Sequence, residues 1–197
     1  MVKNAVTPQP GKQVAPVAVV TGGRRGIGRA CAESLARAGF DIVVVDLEHD
    51  DETAEALAAL RALGRSARFV KGDIAALTKL GRLTEKIFAA FGTVDCLLNN
   101  AGVLPKVRGR DLLDVTPDTF DLVMDVNLRG TFFFTQAMAR RMVAEPAVGR
   151  AHHRSIITMT SGAVGSARLV SPEYAFSKTC LSLMSQAFAA RLGAHGI

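Results

Sequence analysis

A chain of 197 residues is long enough for one domain with a full core and short for two. Its 49% hydrophobic content and mean hydropathy of +0.23 describe a well-buried globular protein, and no apolar run nears the ~20 residues of a membrane span, which argues against a membrane protein. The net charge of +6 is spread over helices and loops instead of gathering in one basic stripe, so nucleic acid is a poor match and an anionic cofactor or substrate a better one.

Residues 1–15 lack the apolar core of a secretory signal, and Pro8, Pro10, Gly11 and Pro16 break any helix there, so a loose tail is expected before a domain over 16–197. Cys31, Cys96 and Cys180 lack metal-like spacing and read as buried thiols of a reducing, cytoplasmic setting. His49, His152, His153 and His195 form no metal constellation.

From there strands and helices alternate. Residues 17–20, Val-Ala-Val-Val, have no polar alternation and suit a parallel strand covered on both faces. A turn rich in glycine follows, with Gly22, Gly26 and Gly28 leading into a helix over 29–38 that Gly39 ends. Strand 42–45 closes at Asp46, and helix 52–63 stops at Gly64. Strand 67–70 runs into Gly72, Asp73 and Ile74, helix 77–91 ends at Gly92, and strand 94–98 enters Asn99-Asn100-Ala101-Gly102. The spacing predicts one long helix over 118–144 with Pro146 beyond it, a fifth strand over 155–159, a glycine- and serine-rich loop, and a last helix over 172–192. Such alternation predicts an α/β fold with a doubly wound parallel sheet of Rossmann type.

In that fold the loops at the carboxyl ends of the strands meet around one crevice. If Gly26-Ile27-Gly28 opens a helix, its unpaired N–H groups and positive dipole end make a site for a pyrophosphate. The spacing G-x-x-x-G-x-G serves the same mechanics as the dinucleotide fingerprint G-x-G-x-x-G, though the letters differ. Asp46 follows the second strand, where a carboxylate accepts hydrogen bonds from an adenosine ribose and repels a 2′-phosphate. Arg24 and Arg25 flank the same pocket and attract such a phosphate; the choice between NAD and NADP is contested and leans to NAD. On the last helix Tyr174 and Lys178 share a face at i, i+4. An ammonium beside a phenol favours the phenolate, which makes an acid/base pair usable near neutral pH. Ser161, at the end of the fifth strand, is placed to hydrogen-bond a substrate carbonyl oxygen.

Thr21-Gly-Gly-Arg-Arg-Gly-Ile-Gly28, Asn99-Asn-Ala-Gly102, Asn127 in Val-Asn-Leu-Arg-Gly, Ser161 and Tyr174-Ala-Phe-Ser-Lys178 resemble, in order, the motif set of the short-chain dehydrogenase/reductase family. Residues 153–161 and 171–174 look most like its 3-ketoacyl-acyl-carrier-protein reductases. The resemblance implies an oxidoreductase that moves a hydride between NAD, or NADP, and a carbonyl or secondary alcohol, with a catalytic tetrad of Asn127, Ser161, Tyr174 and Lys178. Tyr174 would exchange a proton with the carbonyl oxygen and Ser161 would polarise that oxygen. Lys178 would bind the nicotinamide ribose, and Asn127, a polar residue without a propensity reason to sit mid-helix, would hold a relaying water. Thr21, Gly22, Arg24, Arg25, Gly26, Ile27, Gly28 and Asp46 would line the phosphate and ribose end. Asp73 and Ile74 would face the adenine, and Asn100, Ala101 and Gly102 the cofactor ribose and sheet edge.

The resemblance also implies a homodimer or homotetramer through helices 118–144 and 172–192, and a small-molecule substrate, carrier-linked in the 3-oxoacyl case. Similar family members continue after a segment like Ala194-His-Gly-Ile197 into further strands, so the sheet is expected to be truncated at its carboxyl end and to expose an edge. Two other readings follow from that expectation: a dinucleotide-binding protein without turnover, and a partner subunit of a longer relative.

Overall fold

The computed structural model describes residues 15–105, 109, 111–145 and 153–197. All but one residue of the expected tail, together with Pro146 and His152, lie outside that set. Five parallel strands form one sheet: β1 (Val17–Thr21), β2 (Asp41–Asp46), β3 (Ala67–Lys71), β4 (Cys96–Asn99) and β5 (Ser155–Thr158), in the order β3-β2-β1-β4-β5. The chain winds outward to β3 and returns to β4 on the other side of β1, so the strand order reverses between β1 and β4. Ligands of such sheets bind at that switch point.

The apolar strands face two separate cores, as period-two geometry requires. Val17 and Val19 of β1, with Val43, Val45 and Leu97, pack against Leu83, Ile87, Phe134, Met138 and Met142. Ala18 and Val20, with Ile42, Val44 and Leu98, pack against Ala32, Ala36, Leu57 and Leu60. Helices α1 (Gly26–Arg37) and α2 (Asp51–Ala62) therefore cover one face and α3 (Leu80–Phe91) and α5 (Thr131–Ala144) the other. Asp50 caps α2, its carboxylate accepting the Thr53 amide at 3.0 Å, while Gly92 ends α3 in the left-handed region at φ 77°. Helix α6 (Pro172–Leu192) has the predicted bounds.

The long helix expected over 118–144 is three pieces. α4 (Pro117–Met124) gives way to a π-helical turn, Asp125–Gly130, before α5 begins. The helical apolar spacing held on both sides, but the join is set by tertiary contact. A Cβ on Gly130 would lie 3.0 Å from the carbonyl oxygens of Ile74 and Asp125. Only a bare backbone sits that close, and the widened turn accommodates it. Helix 77–91 likewise opens as a 3-10 turn, Leu77–Lys79.

Arg154 is buried at the start of β5, where its guanidinium donates to the carbonyls of Met142, Glu145 and His195 and ties the ends of α5 and α6 together. The cysteines differ from the expectation of three buried thiols. Cys96 is buried, which pushes its thiol pKa up, whereas Cys31 is half-buried and Cys180 exposed on an outer face of α6. Among the described residues no three His, Cys, Asp or Glu side chains gather as metal ligands, and no helix is long and apolar enough to cross a membrane.

Candidate active site

The glycine turn is closed by hydrogen bonds from the residues just after β4. Thr21 Oγ1 accepts the amides of Asn100 and Ala101, both at 3.0 Å, and Asn100 Nδ2 donates to the carbonyls of Thr21 at 3.0 Å and Gly22 at 3.1 Å. Both Asn100 amide protons are thus used within the protein, so this residue fastens the turn and presents no free donor to a ligand. Gly28 makes the fastening possible. A Cβ there would lie 2.1 Å from the Gly22 carbonyl oxygen and 2.5 Å from Asn100 Nδ2. Helix α1 starts at Gly26, earlier than its apolar spacing predicts, and its N-terminus has no side-chain cap. First-turn amides without a cap suit an anion.

Beside this turn a crevice of about 400 Å³ runs across the ends of β1, β2, β3 and β4, within the size range of cofactor sites. Thr21, Gly22, Arg24, Arg25, Asp46, Asp73, Ile74, Asn100, Ala101 and Gly102 line it, as expected of a cofactor site. Leu47, Gly72, Val103, Leu122 and Val126 line it as well and were not anticipated. Leu122 and Val126 come from α4 and the π turn, a wall that strand-end reasoning does not reach. Asp73 sits at the rim with its carboxylate accepting the Ala75 amide at 2.8 Å, and the Ile74 side chain is spent in the core.

Arg24 does not stand ready for a phosphate. Its side chain is 11% exposed and lies among four carboxylates: Asp46 at 3.5 Å, Glu48 at 3.6 Å, Glu52 at 3.2 Å, and Asp50, which it contacts directly. Arg25 is exposed and pairs with Glu52 at 3.6 Å. The Asp46 carboxylate accepts the Leu47 amide at 2.8 Å and the Arg24 amide at 3.4 Å.

Of the predicted site residues, Gly26, Ile27, Gly28 and the tetrad Asn127, Ser161, Tyr174 and Lys178 do not line this crevice; Asn127 and Lys178 stand behind Gly102, which does. Lys178 is 5% exposed, and its Nζ donates to the Met159 carbonyl at 2.9 Å just beyond β5. A Cβ on Gly102 would lie 3.7 Å from that Nζ and 3.1 Å from Asn127 Oδ1, which brings the crevice wall, the lysine and the asparagine together. Two of the three lysine donors have no acceptor among the described residues. Burial lowers the Lys178 pKa from the usual lysine range. Its Nζ lies 5.8 Å from the centroid of the Tyr174 ring. Ser161 Oγ accepts the Ala163 amide at 3.2 Å, which leaves its proton free to donate.

Asn127 is fully buried in the π turn. Its Oδ1 accepts the Val103 amide at 2.7 Å, and its Nδ2 donates to the Val103 carbonyl at 3.0 Å and to Ser177 Oγ at 3.2 Å. Ser177 in turn donates to the Tyr174 carbonyl at 2.8 Å. Both Asn127 amide protons are thus used in fixing the Gly102–Val103 wall and the Tyr174 turn. Ser177 was not anticipated; its signal is a small polar residue inside the Tyr-x-x-x-Lys spacing, on a buried face of α6.

A sequence model described as short chain dehydrogenase matches residues 16–197. The chain belongs to the short-chain dehydrogenase family. Members of this family are oxidoreductases of alcohols and carbonyls, and the matched residues include the crevice lining and the four tetrad positions. A short-chain dehydrogenase/reductase of Armillaria gallica is 34% identical over 182 residues, which is 92% of this chain and 67% of the relative. The L-rhamnose 1-dehydrogenase (NADP(+)) of Thermoplasma acidophilum is 34% identical over 91% of this chain and 68% of its own. Among solved structures, the 3-oxoacyl-[acyl-carrier protein] reductase of Brucella melitensis in complex with NAD superimposes with a TM-score of 0.85 at 42% identity, over 93% of this chain and 70% of that one.

Proposed function

We propose that this chain binds a nicotinamide dinucleotide, NAD before NADP, along the crevice and interconverts a carbonyl and a secondary alcohol at its tetrad. The observation that carries the reading is Lys178. A buried amine with a single protein acceptor is costly to keep, and this one lies between the end of β5 and the wall of a crevice beside an uncapped helix start. When bound there, the nicotinamide supplies or accepts the hydride.

The rest is the work of the chain itself. Tyr174 gives its phenolic proton to the carbonyl oxygen during reduction and takes it back during oxidation. Ser161 donates its free proton to the same oxygen, and so stabilises the negative charge that develops there. Lys178 donates to the cofactor ribose with the protons that Met159 does not take. Asn127 and Ser177 are positioning residues that fix the turn on which Tyr174 sits.

Within this reaction class we extend the reading to a 3-oxoacyl thioester, on likeness to the Brucella melitensis reductase; the likeness to a sugar dehydrogenase supports an aldose instead. Of Arg129, Arg140 and Arg141, which would suit an acidic carrier, Arg129 and Arg141 are paired with Asp125 and Glu145 on their own helices, which weakens that argument. We further propose a homodimer or homotetramer through α4, α5 and α6, supported by the exposed Phe133, Phe176 and Leu183; a monomer in light scattering would overturn it. Dinucleotide binding without turnover is a second reading, favoured by the exposure of all of residues 165–170 on the substrate side.

One experiment separates these. NADH emission is titrated, and then turnover is followed on a panel that includes a 3-oxoacyl thioester and an aldose. Tyr174→Phe should keep NADH affinity and lower kcat by about 10²–10⁴-fold. Equal turnover by the variant would remove Tyr174 from the chemistry, and saturable binding without turnover by the parent would select the second reading.

A further inference from the structure

Among the residues lining the crevice, the cations are Arg24 and Arg25. A 2′-phosphate at the adenosine end requires one of them, since phosphates in such sites are met by guanidinium or ammonium groups. Arg24 is the better placed: only its side chain is mostly buried there, and its own amide donates to Asp46. Yet three carboxylates outside the crevice lining hold its guanidinium. Asp50 is itself fixed as the cap of α2, accepting both the amide and the hydroxyl of Thr53, and so anchors Arg24 to a helix end. Glu52, in the first turn of the same helix, also holds Arg25. Asp46, Glu48, Asp50 and Glu52 against Arg24 and Arg25 leave this corner with a net charge of −2.

Resting on the dinucleotide reading above, we propose that Glu48, Asp50 and Glu52 set the cofactor preference by sequestering Arg24, so that the crevice refuses a 2′-phosphate even with an arginine at its rim. Asp46 repels the phosphate at the ribose, and the three outer carboxylates withhold the group that would compensate. The clamp is thus a specificity device made of residues that touch no ligand.

The test is a titration of NADH and NADPH emission with the 197-residue chain, the variant Glu48→Gln/Asp50→Asn/Glu52→Gln, and the same variant with Arg24→Gln added. Asp50→Asn preserves the helix cap, because asparagine is as good an N-cap as aspartate. The triple variant should bind NADPH about tenfold or more tightly than the parent does, with NADH affinity within about threefold, and Arg24→Gln should abolish the gain. Unchanged NADPH affinity with NADH binding intact would overturn the clamp, as would a gain that survives Arg24→Gln, which would assign the effect to net charge alone. Should a thermal melt show the triple variant unfolded, Glu48→Gln/Glu52→Gln, which leaves the cap untouched, decides the matter by the same criteria. Absence of saturable binding of either cofactor by the parent would overturn the dinucleotide reading itself, and the clamp with it.

Discussion

The glycine-turn crevice and the tetrad behind its Gly102 wall are built differently. The glycine-turn end is closed on itself: strand β1 is buried along its whole length, Thr21 and Asn100 lace the turn to β4, and Arg24 is enclosed by carboxylates. At the tetrad end the polar groups are set with equal care, but the packing is thin. β5 lies at the edge of the sheet, Ile157 is 45% exposed, and Leu169 and Val170 stand in solvent. Binding groups held by backbone and core behave as a rigid part, while acid/base groups on one helix and one edge strand depend on the few contacts that tie them down.

The largest effect should come from breaking the rigid end. Gly28→Ala places a Cβ against the Gly22 carbonyl with no room to move. The overpacking costs about 1–3 kcal/mol, a Tm lower by roughly 2–12 °C, and NADH binding should be lost with it. A variant that melts like the parent and still titrates with NADH would show that the turn is not the fixed element described here.

A smaller, more selective effect is expected at the other end. Ser177→Ala removes the acceptor for Asn127 and the donor to the Tyr174 carbonyl, at a cost of about 1–2 kcal/mol. NADH affinity should be unchanged and kcat reduced, because the loss falls on the turn that carries Tyr174. A fall in NADH affinity with kcat intact would contradict that division.

The smallest effects separate the two ends by pH. The Asp50 carboxyl is held below its usual range, first by the Thr53 amide and then by the Thr53 hydroxyl and Arg24. A lowered carboxylate pKa contributes stability that is present above about pH 4 and is lost as pH falls through the folded value, so Asp50→Asn should flatten the acid limb of a Tm profile. Lys178 has the opposite dependence. Burial disfavours its charged form, so its cost to the fold is present below the lowered folded pKa and is relieved as pH rises toward the ordinary value of about 10.4. Lys178→Met should therefore raise Tm at neutral pH, by a margin that shrinks toward pH 10. A margin that is flat with pH would mean that the lysine is not buried as described.

Much of this was legible in the sequence because local rules and the fold agree. Residues 172–192 were read as one helix starting at Pro172, and the unbroken Val-Ala-Val-Val and Ile-Val-Val-Val runs announced strands with two covered faces. Gly22, Asp46 and Gly102 were placed on the crevice by the rule that strand ends converge. What escaped depends on contacts between distant segments. The π turn arises where Gly130 meets Ile74, and nothing within 118–144 signals it. Arg24 read as attracting a 2′-phosphate that Asp46 repels, because a linear view does not reveal that the start of α2 brings Glu48, Asp50 and Glu52 around the arginine. Ser177 was hidden by its neighbours Tyr174 and Lys178.

The π turn also sets the phase of everything that follows it. An α-helix advances about 100° per residue, and a turn that closes one residue late delays the next stripe by about that angle. Val123 ahead of the turn and Phe134, Met138 and Met142 behind it therefore lie on different angular tracks, with Asn127 at the changeover. One continuous rod thus serves two clients: its first half is indexed to α6 and the crevice, and its second half to α3 and the sheet.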